Sequence, residues 1–119
     1  MSSKDEHYEK VKHNDKFFNT VKTEEFPDWS VIVTFYRAVH LIESVFALNG
    51  VHTNSHEDRK AIMNNDTVNY PHELRRNYRE LENLSRQARY KAELPITMQS
   101  VDIAQECYDI IRSWYKEKC

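Results

Sequence analysis

The chain has 119 residues, of which 39% are hydrophobic and 30% are charged, a balance typical of one soluble domain spanning residues 1–119. Its net charge of −2 excludes a protein whose whole surface coats nucleic acid or anionic membrane, but it allows one basic face. With one Gly and three Pro, the chain lacks the residues that tight turns between strands require. This composition predicts long helices joined by short connections.

The cysteines and the first residues predict a cytoplasmic location. The two cysteines, Cys107 and Cys119, provide no disulfide framework, so we expect reduced thiols. The segment MSSKDEHYEKVKHND is charged and has no apolar core, so no secretory signal is expected.

Hydrophobic spacing and helix-boundary residues predict an all-α protein, an antiparallel helical bundle of four long helices plus one short helix. Asp28 is the expected N-cap of the second helix, and Gly50 follows its end. Ser55 and Thr97 are the expected N-caps of the third and fifth helices. The predicted helices cover residues 5–19, 29–48, 56–63, 71–91 and 97–117.

The second helix is apolar on most of its faces, which predicts burial by neighbours on several sides. Arg37, His40 and Glu43 interrupt it at intervals of three residues, so they are neighbours on the helix surface and argue against a membrane span. One interpretation is a network within the helix that faces a groove or a subunit interface. The other is a cleft in which His40 is a general acid or base oriented by Glu43.

The segment HTNSHEDR adds His52, His56 and Arg59 directly after the second helix. Helix capping explains Ser55 and Asp58, and surface histidines are the simpler interpretation of the rest. Alternatively, these groups assemble beside His40 to form a site. No H-E-x-x-H motif and no nearby Cys supports zinc, and no glycine-rich phosphate loop is present, so neither a metal nor a cofactor is predicted.

The fourth predicted helix carries arginines on one side, with Glu82 among them. A solvated, salt-bridged face is the simpler interpretation, and contact with phosphate is the alternative, since arginine offers a planar fork of donors. Tyr90 lies near this face, where it could stack on a base or pack against a partner. The arginines are Arg75, Arg79, Arg86 and Arg89.

Three segments, DWSVIVTFYRAVHLIES, GVHTNSHEDR and YRELENLSRQARY, resemble small prokaryotic helical proteins of the HEPN superfamily. The resemblance extends from about His13 to Tyr90 and implies a bundle of four or five helices and dimerisation. Many members are metal-independent ribonucleases of toxin–antitoxin and antiviral systems, and others bind nucleotides or partners without catalysis. The usual signature is an Arg followed, after four to six residues, by a His, and no arginine here has that spacing.

The expected function is therefore that of a HEPN-like domain acting on RNA as a metal-independent endoribonuclease or defence effector. In such a reaction one group removes the 2′-hydroxyl proton and cations stabilise the scissile phosphate. The alternative is a non-catalytic module for dimerisation or partner binding. The expected partners are a second copy, RNA or another protein, with no membrane. The expected catalytic residues are His40, His56 and Arg86, and the expected substrate-binding residues are Arg37, Glu43, His52, Arg59, Arg89 and Tyr90.

Overall fold

The computed structural model describes residues 3–21, 25–53, 55–64, 70–91 and 95–118, and within these ranges every regular element is an α-helix. The all-α class expected from the sequence is confirmed. The helices are α1 (Lys4–Val21), α2 (Pro27–Leu48), α3 (His56–Asn64), α4 (His72–Tyr90) and α5 (Met98–Lys118).

The helix α2 forms the centre of the fold because its apolar residues occur on nearly every face. It packs against α1, α4 and α5, and α5 also packs against α4. By length and composition alone α2 could cross a membrane, but 72% of its most apolar window is buried inside the fold. The apolar run therefore serves as the core helix of the bundle.

Contacts along α2 show the direction of its neighbours. Near the end of α2, Phe46 contacts Tyr70 just before α4, whereas Tyr36 contacts Arg89 at the end of α4. These pairs make α2 and α4 antiparallel. Helices α1 and α2 are also antiparallel, because Ser44 near the end of α2 bonds to Lys4 at the start of α1, and Ser30 near the start of α2 bonds to Val21 at the end of α1. In contrast, α5 runs in the same direction as α2. Gln105 in its first half bonds to Arg37, and Trp114 near its end contacts Tyr70, which also contacts Phe46.

The helix boundaries follow the local sequence at three of four predicted positions. Gly50 has a φ of +73°, the left-handed conformation that a helix end favours. Ser55 Oγ accepts a hydrogen bond from the Asp58 amide at 3.1 Å, and Thr97 exchanges similar bonds with Ser100. The prediction for Asp28 is wrong, because α2 begins at Pro27 and no side chain caps it. Proline suits the first helical position, which moves the start towards the N-terminus.

Helix α1 is held to the bundle by polar and aromatic side-chain pairs as well as by apolar packing. Val11 is its only residue classed as buried among those described. Its other contacts include His7 with His40, Asp15 with Arg37, and Tyr8 stacked on Tyr115 at 5.9 Å between ring centroids. The position of α1 therefore depends on specific side-chain pairs.

Large apolar side chains are exposed where α1 and α4 end and where α2 and α5 begin. Trp29, expected inside the core, is 50% exposed because it lies in the first turn of α2, before that helix enters the bundle. The exposed residues near this end of the bundle are Phe17, Phe26, Trp29, Tyr90 and Ile103. We call this set the apolar end.

Candidate functional site

The three polar residues of α2 do not line one groove together. Arg37 and Glu43 are each 5% exposed, and each bonds to partners on a different neighbouring segment, whereas His40 is half-buried and reaches solvent. A single cleft wall built from all three is therefore incorrect. The spacing of three residues places them in one row on α2, but their side chains meet different neighbouring segments.

Arg37 joins α2 to α1 and α5. Its Nε donates to Asp15 Oδ1 at 2.6 Å, and its Nη1 donates to Gln105 Oε1 at 3.2 Å. The guanidinium carbon lies 4.4 Å from the centre of the Phe18 ring and 4.0 Å from that of Tyr108. The guanidinium stacks between two rings with a carboxylate at its edge, and these contacts give Arg37 a structural role.

Glu43 is bound within a second polar group, which we call the α3 network. The Glu43 carboxylate accepts hydrogen bonds from Arg59 Nη1 at 2.8 Å and from the Thr53 hydroxyl. Arg59 Nε donates to the Tyr78 hydroxyl at 3.0 Å. Arg59 is 8% exposed and Tyr78 is 2% exposed. The α3 network therefore ties α3 and the segment before it to α2 and α4.

Glu82 on α4 forms the neighbouring charged contact. It is 1% exposed, and its Oε1 lies 2.6 Å from Lys60 Nζ and 3.4 Å from Arg86 Nη2. Glu82 thus pairs with one arginine of the predicted salt-bridged face, Arg86, and Lys60 from α3 joins it. Arg86 keeps about half of its side chain exposed, with a fraction of 53%. It bridges the buried carboxylate and solvent.

His40 faces His7 of α1 across the α1–α2 contact. Their Nδ1 atoms are 3.0 Å apart, a hydrogen-bond distance, so one ring donates and the other accepts. The donating ring then carries a bare Nε2, and the accepting ring, when neutral, carries its proton on Nε2. The neutral pair thus offers one proton acceptor and one donor beyond its own contact.

A groove of about 470 Å³ opens beside this histidine pair. Its volume falls in the range of small-molecule sites. We call it the histidine groove, and it is lined by Glu6, His7, Glu9, Lys10, His13 and His40.

Burial lowers the pKa of His40 to about 4, and the positive charge that His7, Lys10 and Arg59 can carry acts in the same direction. Glu43 opposes this shift. The pKa of His7 is also lowered, chiefly by burial, with Glu43 and Glu6 opposing and His52 and Arg59 contributing. At neutral pH both rings are therefore uncharged. The α3 network lies close enough to influence both histidines.

We expect acid to destabilise the fold through His40. Its pKa is 6.5 when unfolded and about 4 when folded, so between these values the unfolded chain binds more protons. This contribution to stability is complete above pH 6.5 and disappears as the pH falls towards 4. Since the ring is half-buried, solvent screening leaves a contribution of about 1–2 kcal/mol.

Urea denaturation between pH 7 and pH 4.5 measures this effect. His40→Gln should flatten the dependence of the unfolding free energy on pH, whereas His13→Gln should retain it. His13 lines the same groove but lies outside the His7–His40 hydrogen bond. An unchanged pH dependence in His40→Gln would contradict the assignment.

The remaining predicted residues lie in separate places. His52 is exposed, and the side chain of His56 lies outside the described residues. Arg89 donates to the Ser85 carbonyl and the Tyr36 hydroxyl, each at 3.3 Å. Tyr90 is 73% exposed, and its ring centre lies 5.0 Å from the Arg89 guanidinium carbon. Neither Arg86 nor Arg89 lines the histidine groove.

The sequence reasoning missed the α1 half of the groove. His7, Lys10 and His13 recur every three residues, which places them along one side of a helix. That spacing is a usable signal in the sequence. The partnership of His7 with His40 joins residues 33 positions apart and required the folded structure.

The described residues contain no cluster of three or more His, Cys, Asp or Glu side chains suited to a metal ion. Burial raises the pKa of the Cys107 thiol to about 11, so this cysteine is a structural residue of α5 rather than a nucleophile. The groups available at the groove are the imidazoles of His7, His13 and His40, the ammonium of Lys10 and the carboxylates of Glu6 and Glu9.

Comparisons with protein-family models, characterised proteins and solved structures found no match to this chain.

Proposed function

We propose that this chain is a HEPN-like bundle that acts on RNA as a metal-independent endoribonuclease in the cytoplasm, with its chemistry in the histidine groove. The observation that carries the proposal is the hydrogen-bonded His7–His40 pair in a groove shared with Lys10. A neutral imidazole can accept a proton, and the ammonium can stabilise negative charge on a phosphate.

The reaction needs only groups of this kind. A bare imidazole nitrogen of the His7–His40 pair takes the 2′-hydroxyl proton, and the 2′-oxygen attacks the adjacent phosphorus. The bond from phosphorus to the 5′-oxygen breaks, and that oxygen takes the Nε2 proton of the other imidazole. The proton between the two Nδ1 atoms passes to this second ring, so both imidazoles end neutral. The products are a 2′,3′-cyclic phosphate and a 5′-hydroxyl. Lys10 takes the cationic role that sequence analysis assigned to arginine.

Substrate binding would also raise the pKa values of His7 and His40. A general base works best when its pKa is near the working pH, and a pKa of about 4 for His40 is too low. A phosphodiester placed beside the two rings adds a negative charge, which favours the protonated form and raises both pKa values. The groove thus becomes more basic when it is occupied.

The proposal predicts cleavage of a labelled RNA in the presence of EDTA, giving cyclic phosphate ends. His40→Ala and His7→Ala should each lower the rate by about 100-fold or more, the usual scale of acid–base catalysis. His72→Ala is the matched control, because His72 is an exposed histidine on α4 outside the groove. A DNA strand of the same sequence should remain intact, because it lacks the 2′-hydroxyl group that attacks the phosphorus.

A second candidate is a non-catalytic HEPN-like module that forms a homodimer or binds a protein partner. The apolar end favours it, because exposed large apolar side chains concentrated in one region mark association sites. The same preparation distinguishes the two candidates. Intact RNA together with self-association that Trp29→Ser abolishes would support the module, whereas cleavage lost in His40→Ala supports the ribonuclease.

A further inference from the structure

A small cavity of about 70 Å³ lies between α3 and α4, apart from the histidine groove. Lys60 enters it from α3, and Arg75 and Arg79 enter it from α4. No carboxylate is among the described residues that line it, which are Lys60, Met63, Asn64, Arg75, Tyr78 and Arg79. Two buried side chains, Met63 and Tyr78, supply its interior wall.

The lining of this cavity has more positive than negative charge. Arg75 and Arg79 are four residues apart on α4, where like charges repel. Within the described parts of the chain, neither guanidinium group has an ion pair or a hydrogen bond to an acid. The nearby Glu82 already holds Lys60 at 2.6 Å and Arg86 at 3.4 Å. Arg75 and Arg79 thus add two positive charges to the lining beyond the Lys60 that Glu82 pairs with.

An anion in the cavity would relieve this repulsion, and the available space limits its identity. A water molecule occupies roughly 30 Å³ of liquid, so a cavity of about 70 Å³ has room for a small oxyanion. Two arginine forks and a lysine suit the several oxygens of a phosphate group. The remainder of any larger ligand would extend outside.

We propose that the α3–α4 cavity binds a phosphate group, either free phosphate or the terminal phosphate of a phosphate monoester. The site shares no lining residue with the histidine groove. Its ligand can therefore be established or refuted whether or not the chain cleaves RNA.

Titration with inorganic phosphate at constant ionic strength tests the site, with chemical shifts of the arginine side chains as the readout. The wild-type chain should show saturable shifts, and Arg75→Gln and Arg79→Gln should each weaken binding about tenfold or more. The matched control is Arg76→Gln, an exposed arginine of the same helix that does not line the cavity. Circular dichroism checks that each variant is folded.

Two further arms identify the ligand and decide the outcome. Tighter binding of a nucleoside 5′-monophosphate than of inorganic phosphate assigns the site to monoesters, and equal binding assigns it to free phosphate. The difference in binding between the variants decides whether the shifts arise in the cavity. Shifts that chloride reproduces, or that Arg76→Gln reduces as much as Arg75→Gln, would overturn the proposal.

Discussion

Replacing Glu43 by Ala should lower the free energy of unfolding by about 3–5 kcal/mol, because it leaves the Arg59 guanidinium buried without its carboxylate. Arg59 is 8% exposed, and its Nη1 lies 2.8 Å from Glu43. Loss of the carboxylate also removes the acceptor of the Thr53 hydroxyl. Since the network joins α3 to α2 and α4, the cost extends beyond a single helix pair.

Urea denaturation of matched variants measures this cost. The control is Glu9→Ala, which breaks an exposed pair with Lys12 at 2.7 Å whose carboxylate side chain is 70% exposed. Exposed pairs contribute about 0–1 kcal/mol, so the control should change little. A double variant, Glu43→Leu with Arg59→Met, should lose less stability than Glu43→Ala, because no buried charge remains. Equal losses for Glu43→Ala and Glu9→Ala would refute the buried-pair argument.

The α3 network also connects the two candidate sites physically. Glu43 and Arg59 affect the pKa values of His7 and His40, while Lys60, the next residue after Arg59, lines the α3–α4 cavity. A variant that displaces α3 should therefore affect both the histidine groove and the α3–α4 cavity, even though they share no lining residue, whereas a variant that removes one lining side chain should affect only one of them.

Local patterns in the sequence were sufficient for the helices and several of their ends. Apolar spacing identified α2 as the central helix, and Gly50 and Ser55 marked boundaries that the structure retains. These features depend on residues within a few positions of one another. They are therefore visible without knowledge of the packing.

Partners between helices were not predictable in the same way. Glu43 bonds to Arg59, 16 residues away, and Arg37 bonds to Asp15, 22 residues away. Helical spacing shows which side chains share a row, but the neighbouring helix decides which partner each one meets. For that reason Arg37 and Glu43 each bond to a different neighbouring segment, and of the three polar residues of α2 only His40 lines the histidine groove.

Arg37 offers the sharpest test of how α1 is attached. Arg37→Met should lower the free energy of unfolding by about 3 kcal/mol, at the lower end for a broken buried pair. The lower end applies because the Asp15 side chain is 33% exposed and can regain water. Arg37→Lys keeps the charge but loses the planar fork and the stacking on Phe18 and Tyr108, so a loss of roughly 1–2 kcal/mol is expected.

Hydrogen exchange shows where the stability is lost. In Arg37→Met, amides of α1 should exchange faster than those of α4. Among the described residues, Arg37 links α1 to the central helix, and its hydrogen bonds and ring contacts go to α1, α2 and α5. Arg76→Met, at an exposed arginine of α4, serves as the control and should leave exchange in α1 unchanged. If Arg37→Lys were as stable as the wild type, charge alone would explain the contact, and the stacked geometry would contribute nothing measurable.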